Sequence, residues 1–267
     1  MNQTYRFLAL TGLTIILTGV SHPLKAELPP TYSVVAIPVD KQPLSAVELY
    51  NRGVDKLEAG DYTGAISDFS DALKLNGNDA DSYYNRGYAY HSLGNYKAAV
   101  YDYTQAIKLN PDFEEAYSNR GYAYLVEKNY DSAIADCTKA IELNAKNDTA
   151  YITRGKAYDQ INKHESALAD YKRAIEINPK NPLAYYNQGL SHNLIEDHQA
   201  ALSDYTEAIK LQPTLAEAFY NRGITNFHLK QNKDAIADLQ KAAELFQQQG
   251  RAESYQSAMN AIRILQP

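Results

Sequence analysis

Apolar and small residues between positions 46 and 249 repeat with a constant period of 34 positions. In each period a large residue precedes a glycine by four positions, and alanines follow that glycine by 12 and 19 positions. The large residues are Leu49, Tyr83, Tyr117, Tyr151, Tyr185 and Phe219, and the glycines are Gly53, Gly87, Gly121, Gly155, Gly189 and Gly223. Spacings of four and seven place residues on one face of a helix, so each period predicts two amphipathic helices.

The glycines belong to an Asn-Arg-Gly tripeptide that recurs at 51–53, 85–87, 119–121 and 221–223. Two variants, Thr153-Arg154-Gly155 and Asn187-Gln188-Gly189, fill the remaining periods in the same register. Six glycines inside predicted helices need a packing reason, because glycine costs about 1 kcal/mol of helix propensity relative to alanine. Close approach of two helices at each glycine supplies that reason.

This pattern resembles the tetratricopeptide repeat, whose unit is a 34-residue helix–turn–helix. The resemblance covers six units without insertions, at 46–79, 80–113, 114–147, 148–181, 182–215 and 216–249. It implies an all-α fold, an α-α superhelix in the form of a right-handed tetratricopeptide solenoid. Residues 250–267 carry apolar side chains at helical spacing, including Tyr255, Met259 and Ile262, and are predicted to form a C-terminal capping helix.

An acid follows the arginine of each unit by 16 positions, which brings the two to the same height in an antiparallel helix pair. We expect an ion pair inside each of these units, with a structural role rather than a ligand-binding one. In unit five Gln188 replaces the arginine and is expected to donate to Asp204. The predicted pairs are Arg52–Asp68, Arg86–Asp102, Arg120–Asp136, Arg154–Asp170 and Arg222–Asp238.

The resemblance also implies that the first helix of each unit lines a concave surface. Some members of the family bind the backbone of an extended peptide there through a row of asparagines, whose amides match peptide N–H and C=O groups. The corresponding asparagines are Asn51, Asn85, Asn119, Asn187 and Asn221. Tyrosines that could add contact area are Tyr50, Tyr84, Tyr88, Tyr122, Tyr186 and Tyr220. The alternative is that these residues recur because the unit was duplicated, with their amides bound locally.

Other members clamp a C-terminal carboxylate with basic side chains on the same face. The corresponding strip here holds acidic and apolar residues such as Asp81, Glu115 and Leu183, with only Lys156 nearby. That clamp is therefore not expected.

Residues 1–26 are predicted to be a signal peptide. Phe7–Val20 is a mostly apolar run of fourteen uncharged residues that follows Arg6, too short to span a bilayer comfortably. Cleavage after Ala26 would leave the large Leu24 at the −3 position, so cleavage after Ser21, with Gly19 at −3, fits the small-residue rule better; a retained anchor is the alternative. Residues 27–45 contain four prolines and are predicted to form an extended linker. We expect a chain that is exported to the periplasm or the extracellular space and has no membrane insertion after processing.

The formal net charge of −6 argues against nucleic acid as a partner. Catalytic motifs and metal-ligand spacings are absent from the sequence, so no enzyme activity, metal or cofactor is expected. The favoured function is a scaffold that binds an extended peptide or partner segment, possible roles being assembly of envelope or secreted complexes. Glycan or envelope-polymer binding through tyrosines and a self-assembling structural scaffold are the alternatives. The oligomeric state is left open.

Overall fold

A computed structural model describes residues 43–265, which form α-helices joined by short turns. The helices are α1 (Ala46–Glu58), α2 (Tyr62–Leu75), α3 (Ala80–Ser92), α4 (Tyr96–Leu109), α5 (Glu114–Val126), α6 (Tyr130–Leu143), α7 (Asp148–Gln160), α8 (His164–Ile177), α9 (Pro182–Leu194), α10 (His198–Leu211), α11 (Ala216–His228), α12 (Asn232–Gln248) and α13 (Ala252–Leu265). The predicted signal peptide and residues 27–42 of the predicted linker lie outside the described residues.

Local side chains define where the helices begin. Ser45 and Glu48 form a capping box at the start of α1, and Asp61, Asn95 and Asn129 each accept a backbone N–H at the start of a second helix. Each turn from a first to a second helix contains one residue with a positive φ, as at Gly60 (φ 77°). These caps and turns set the antiparallel helix pair in every unit.

The glycine of each first helix lies where that helix meets the second helix of its unit. A Cβ atom on Gly155 would lie 2.7 Å from Cε1 of Tyr171, and one on Gly121 would lie 2.6 Å from Sγ of Cys137. Both distances are shorter than real Cβ contacts, so only glycine allows this approach. The recurring glycines therefore have the packing role expected of them.

The helices form two layers. Every helix packs against the next one along the chain, and the first helices of successive units also contact one another, as α5 does with α7 and α7 with α9. The first helices are therefore the inner layer of a curved array and the second helices the outer layer. The predicted all-α superhelix is confirmed. Within residues 43–265, none of the helices combines the length and apolarity needed to cross a membrane.

Helix α13 packs against α12 at the end of the array. Ala258 and Ile262 of α13 are buried, and they cover the side of α12 that carries Leu245 and Phe246. Because an internal repeat is covered by the next repeat at this place, α13 replaces a seventh unit.

Each arginine of the Asn-Arg-Gly tripeptide donates two hydrogen bonds to the aspartate of its own unit. Nε and Nη2 of Arg86 lie 2.8 Å from Oδ2 and Oδ1 of Asp102, and the other pairs have the same bidentate geometry at 2.6–2.8 Å. Asp102 is almost fully buried, and a buried carboxylate needs such a partner. The pairs seen are Arg52–Asp68, Arg86–Asp102, Arg120–Asp136, Arg154–Asp170 and Arg222–Asp238.

The third nitrogen of the guanidinium reaches into the preceding unit. Nη1 of Arg86 donates to Oγ of Ser70 at 3.0 Å, and Arg120, Arg154 and Arg222 donate to a threonine 16 positions earlier. One arginine therefore holds its own helix pair and ties that pair to the second helix of the unit before it. These hydroxyl groups were not among the arginine partners predicted from the sequence.

The aspartate of unit five has a histidine as its partner instead of an arginine. His192 Nδ1 lies 2.7 Å from Oδ2 of Asp204, so the histidine occupies the place that Gln188 was expected to take. Lys172 stands at the position where the other junctions have serine or threonine, so an arginine at position 188 would lack the hydroxyl acceptor found there in the other units. Burial raises the pKa of Asp204 to about 6, against the opposing effect of the hydrogen bond from His192.

We expect the double substitution Lys172→Thr and Gln188→Arg to stabilise the array by about 1 kcal/mol at pH 8, because it restores a bidentate pair and its hydroxyl partner. A folded-state pKa near 6, above the ordinary value of 3.8, makes the wild type lose stability as pH rises from 4 to beyond 6. The arginine should remove that loss.

Urea unfolding at pH 5 and pH 8 measures this effect, with Lys172→Thr alone as the control. Equal differences between the double variant and the wild type at both pH values would contradict the prediction.

Candidate functional site

Three asparagines of the inner layer bind tyrosines of the preceding unit. Nδ2 of Asn85 donates to the hydroxyl of Tyr50 at 3.0 Å, and Asn119 donates to Tyr84 at 2.9 Å. Asn221 makes the same contact with Tyr186 at 3.0 Å. In each case the partners are 35 positions apart, so the amide connects two successive first helices.

The rings of these tyrosines pack against aromatic residues of the outer layer or of the next unit. The ring of Tyr84 lies 4.7 Å from that of Phe113, and Tyr186 lies 6.0 Å from Tyr205. Tyr50 and Tyr220 have similar partners in Phe69 and Phe246. Burial raises the pKa of both Tyr84 and Tyr186 to about 12. Much of each ring therefore fills the junction between helices.

The remaining predicted residues differ from one another. Asn51 is exposed at the start of the array, and Nδ2 of Asn187 donates to the carbonyl oxygen of Leu183 at 2.6 Å. Tyr122 stacks on His91 with ring centroids 5.1 Å apart, whereas 43% of Tyr88 is exposed. The structure thus joins asparagines and tyrosines in pairs across unit boundaries. Their role in ligand binding stays a prediction.

The asparagine–tyrosine contact is interrupted in the middle of the array. Ser118 and Ile152 stand where the other units have the tyrosine, and Thr153 replaces one asparagine. A cleft of about 360 Å³ opens along the inner layer across α5, α7 and α9. We call it the central cleft, and its lining is Tyr122, Leu125, Val126, Lys128, Tyr130, Lys156, Asp159, Gln160, Tyr171, Asn187, Leu190 and Leu194.

Lys156 is the half-buried cation of the central cleft. Its Nζ lies 5.9 Å from the centroid of the Tyr122 ring, and no carboxylate oxygen of residues 43–265 lies within ion-pair distance of it. Burial lowers the pKa of Lys156, because desolvation disfavours the ammonium form. This ammonium group is costly to the fold and has no neutralising partner there.

Asp159 lines the same cleft, but its oxygens are already occupied. Oδ1 accepts a hydrogen bond from Ser191 at 2.8 Å and lies 2.9 Å from Nδ1 of His164, while Oδ2 accepts from the buried Tyr171 hydroxyl at 2.9 Å. The carboxylate is therefore a structural group that satisfies the outer-layer tyrosine. It leaves Lys156 free to meet an external anion.

The sequence reasoning passed over most of the residues that form the central cleft. The position directly after each glycine holds Val54, Tyr88, Tyr122, Lys156, Leu190 and Ile224. Lys156 is the one charged residue in this series. Because that position faces the inner surface in every unit, this charge was the sequence signal that could have located the cleft. Among residues 43–265, no three side chains of the metal-binding types lie together in a way that could hold an ion.

Replacing Asn119 by alanine should lower the free energy of unfolding by about 0.5–1.5 kcal/mol, because the buried Tyr84 hydroxyl loses its donor. Asn51→Ala is the matched control, since Asn51 is exposed and makes no such contact within the described residues. Urea titration followed by circular dichroism compares the two. Equal unfolding midpoints for both variants would show that the amides do not hold the units together.

Comparison with family models identifies the repeats. The model described as "Tetratricopeptide repeat" matches residues 80–113 and 114–147, and a second with the same description matches 195–250. A model described as "TPR repeat" matches residues 53–94 and 155–193. Together these matches include most of residues 53–250. Comparison with curated proteins gave no match.

Solved structures share the fold. YrrB, described as "a TPR protein with an unusual peptide-binding site", is 25% identical, with a TM-score of 0.55 over 72% of this chain and 97% of that one. MamA is 27% identical, with a TM-score of 0.56 over 62% of this chain and 96% of that one. The APC/C hetero-tetramer Cut9-Hcn1 is 16% identical and has a TM-score of 0.71 over 86% of this chain and 44% of that one.

With the family models, these likenesses show that the chain belongs to the tetratricopeptide repeat family, whose arrays serve as scaffolds for protein interaction.

Proposed function

We propose that this array binds an extended segment of a partner protein along its inner layer, with the central cleft as the main point of contact. The observation that carries the proposal is the cleft itself, which combines apolar walls with an ammonium group that has no carboxylate partner among residues 43–265. Sites that bind ligands typically have this composition, a mainly apolar lining with a few polar groups. A volume of about 360 Å³ accommodates one or two side chains of such a segment.

The interruption of the repeat supports the same location. Where the asparagine–tyrosine contact is present, it uses the inner-layer amides to hold the array together. The junctions between units three and four and between units four and five lack it, and Leu194 and Val126 of the cleft in this region are 58% and 40% exposed. A departure from a repeating pattern without structural compensation is typical of a functional position. The described peptide-binding site of YrrB is consistent with a polypeptide ligand.

The tyrosine rings favour a peptide over a glycan. A sugar needs a free ring face on which to stack, and Tyr50, Tyr84 and Tyr186 pack against other rings of the array. The faces of Tyr122 are near His91 and Lys156. An extended polypeptide is favoured instead, because the cleft is open along the inner layer and continues past neighbouring amides.

Leu194→Asp should abolish the selection of peptides from a random dodecapeptide library displayed on phage, because it places a carboxylate on the apolar wall. Leu75→Asp is the matched control: Leu75 is 61% exposed and lies at the end of an outer-layer helix. Sequencing after selection on the purified wild type, Leu194→Asp and Leu75→Asp reads out the result. A failure of the wild type to enrich any peptide family, or equal enrichment by all three, contradicts the proposal.

We propose further that the chain acts outside the cytoplasm, on the basis of the apolar run in residues 7–20 that follows Arg6. The mature protein should then begin at His22 or Glu27, the two positions that follow the predicted cleavage sites. N-terminal sequencing of the protein isolated from its native cells measures this. A mature chain that begins at Met1 would contradict cleavage.

A further inference from the structure

Lys156 gives the central cleft an electrostatic character opposite to that of the whole chain. The chain carries a net charge of −6, yet Lys156 and Lys128 line this cleft and have no carboxylate partner among residues 43–265. The acid beside them, Asp159, already accepts hydrogen bonds on both oxygens. Two ammonium groups and one carboxylate therefore line the cleft, which leaves a formal excess of one positive charge next to its apolar walls.

We infer that the central cleft selects partner segments in which a side-chain carboxylate lies next to a large apolar residue, and that Lys156 binds the carboxylate. This inference rests on the proposed function and specifies its ligand. The apolar residue of the segment contacts Leu190 and Leu194, which lie one and two turns after Asn187 on α9. The ammonium of Lys156, on the neighbouring α7, donates to the carboxylate.

Burial explains why the carboxylate adds affinity. A half-buried ammonium has lost part of its hydration in the free protein, so an incoming anion regains an interaction at little further desolvation cost to the lysine. Charge-assisted hydrogen bonds are among the stronger contacts in such a site. An uncharged segment would leave Lys156 covered and unpaired, which disfavours that segment.

The inner layer continues past the cleft on both sides, through α3 and α11. A segment can therefore run through the cleft without ending there. The carboxylate is expected to come from an internal aspartate or glutamate, with the backbone passing the amides of Asn119 and Asn187.

The test is the phage selection with dodecapeptides fused at their C-termini, so that the carboxylates in the variable region are side chains. Peptides enriched on the wild type should carry Asp or Glu beside Leu, Ile, Phe or Tyr. Those enriched on Lys156→Met should lack this pairing, and those enriched on Lys97→Met should keep it. Lys97 is an exposed lysine of the outer layer and serves as the matched control.

A synthetic copy of the most enriched peptide then gives the magnitude. Lys156→Met should weaken its binding about 10-fold or more, in proportion to one charge-assisted hydrogen bond. Exchange of the acidic residue of the peptide for its amide should cause a similar loss on the wild type and none on Lys156→Met. Because burial opposes the charge of Lys156, the Met variant should unfold at the same or a higher urea concentration, which separates lost binding from lost folding.

The outcomes are distinct. Enrichment of apolar peptides without acidic residues, or equal loss on Lys97→Met and Lys156→Met, overturns the role of Lys156 and leaves peptide binding intact. A wild type that enriches no peptides overturns both this inference and the proposed function.

Discussion

The guanidinium of the Asn-Arg-Gly tripeptide is the contact on which the array depends. In units two, three, four and six its fork satisfies the buried aspartate of the same helix pair, and its third nitrogen binds a hydroxyl of the preceding pair. The guanidinium carbon also lies over an aromatic ring three positions earlier in the same helix, as Arg86 does at 5.6 Å from Tyr83. A planar, permanently charged group with five donors can meet all of these demands, whereas a lysine cannot. The arginine therefore links the two layers and the successive units through one side chain.

Where one residue departs from the repeat pattern, a neighbouring residue in the structure departs from it as well. Where Gln188 replaces the arginine, His192 also departs from the pattern and contacts the aspartate of that unit, Asp204. In the same way, a tyrosine in the core of a second helix is accompanied by a polar residue 12 positions earlier, as Tyr171 is by Asp159 and Tyr205 by Asn193. Units with Phe69, Cys137 or Leu239 at that core position have Leu57, Leu125 or Phe227 instead. Against this background of compensation, the ammonium of Lys156 is unusual because no carboxylate in the described part of the chain accompanies it.

Three features follow from spacings inside one 34-residue unit, and the sequence displays these spacings directly. The features are the helix pairs, the close approach at each glycine and the Arg–Asp register. The contacts that escaped sequence reasoning cross a unit boundary. Asn85 reaches back 35 positions to Tyr50, and Arg86 reaches back 16 positions to Ser70, so comparison of aligned units does not bring the partners together. The central cleft was also hidden, because Tyr122, Lys156 and Leu190, which line it, belong to three different units. Volume of this kind depends on the curvature of the inner layer, which no single unit encodes.

The contact pattern also limits how such a chain can change in length. Each unit contacts its immediate neighbours and α13 covers unit six, so the gain or loss of a unit outside units three to five changes only the contacts at the junction where it occurs. The central cleft takes its walls from three consecutive first helices, and a unit inserted between α5 and α9 would separate them. Growth by duplication is therefore permitted outside units three to five and penalised within them. The central cleft divides an otherwise uniform array into a fixed middle and two extendable ends.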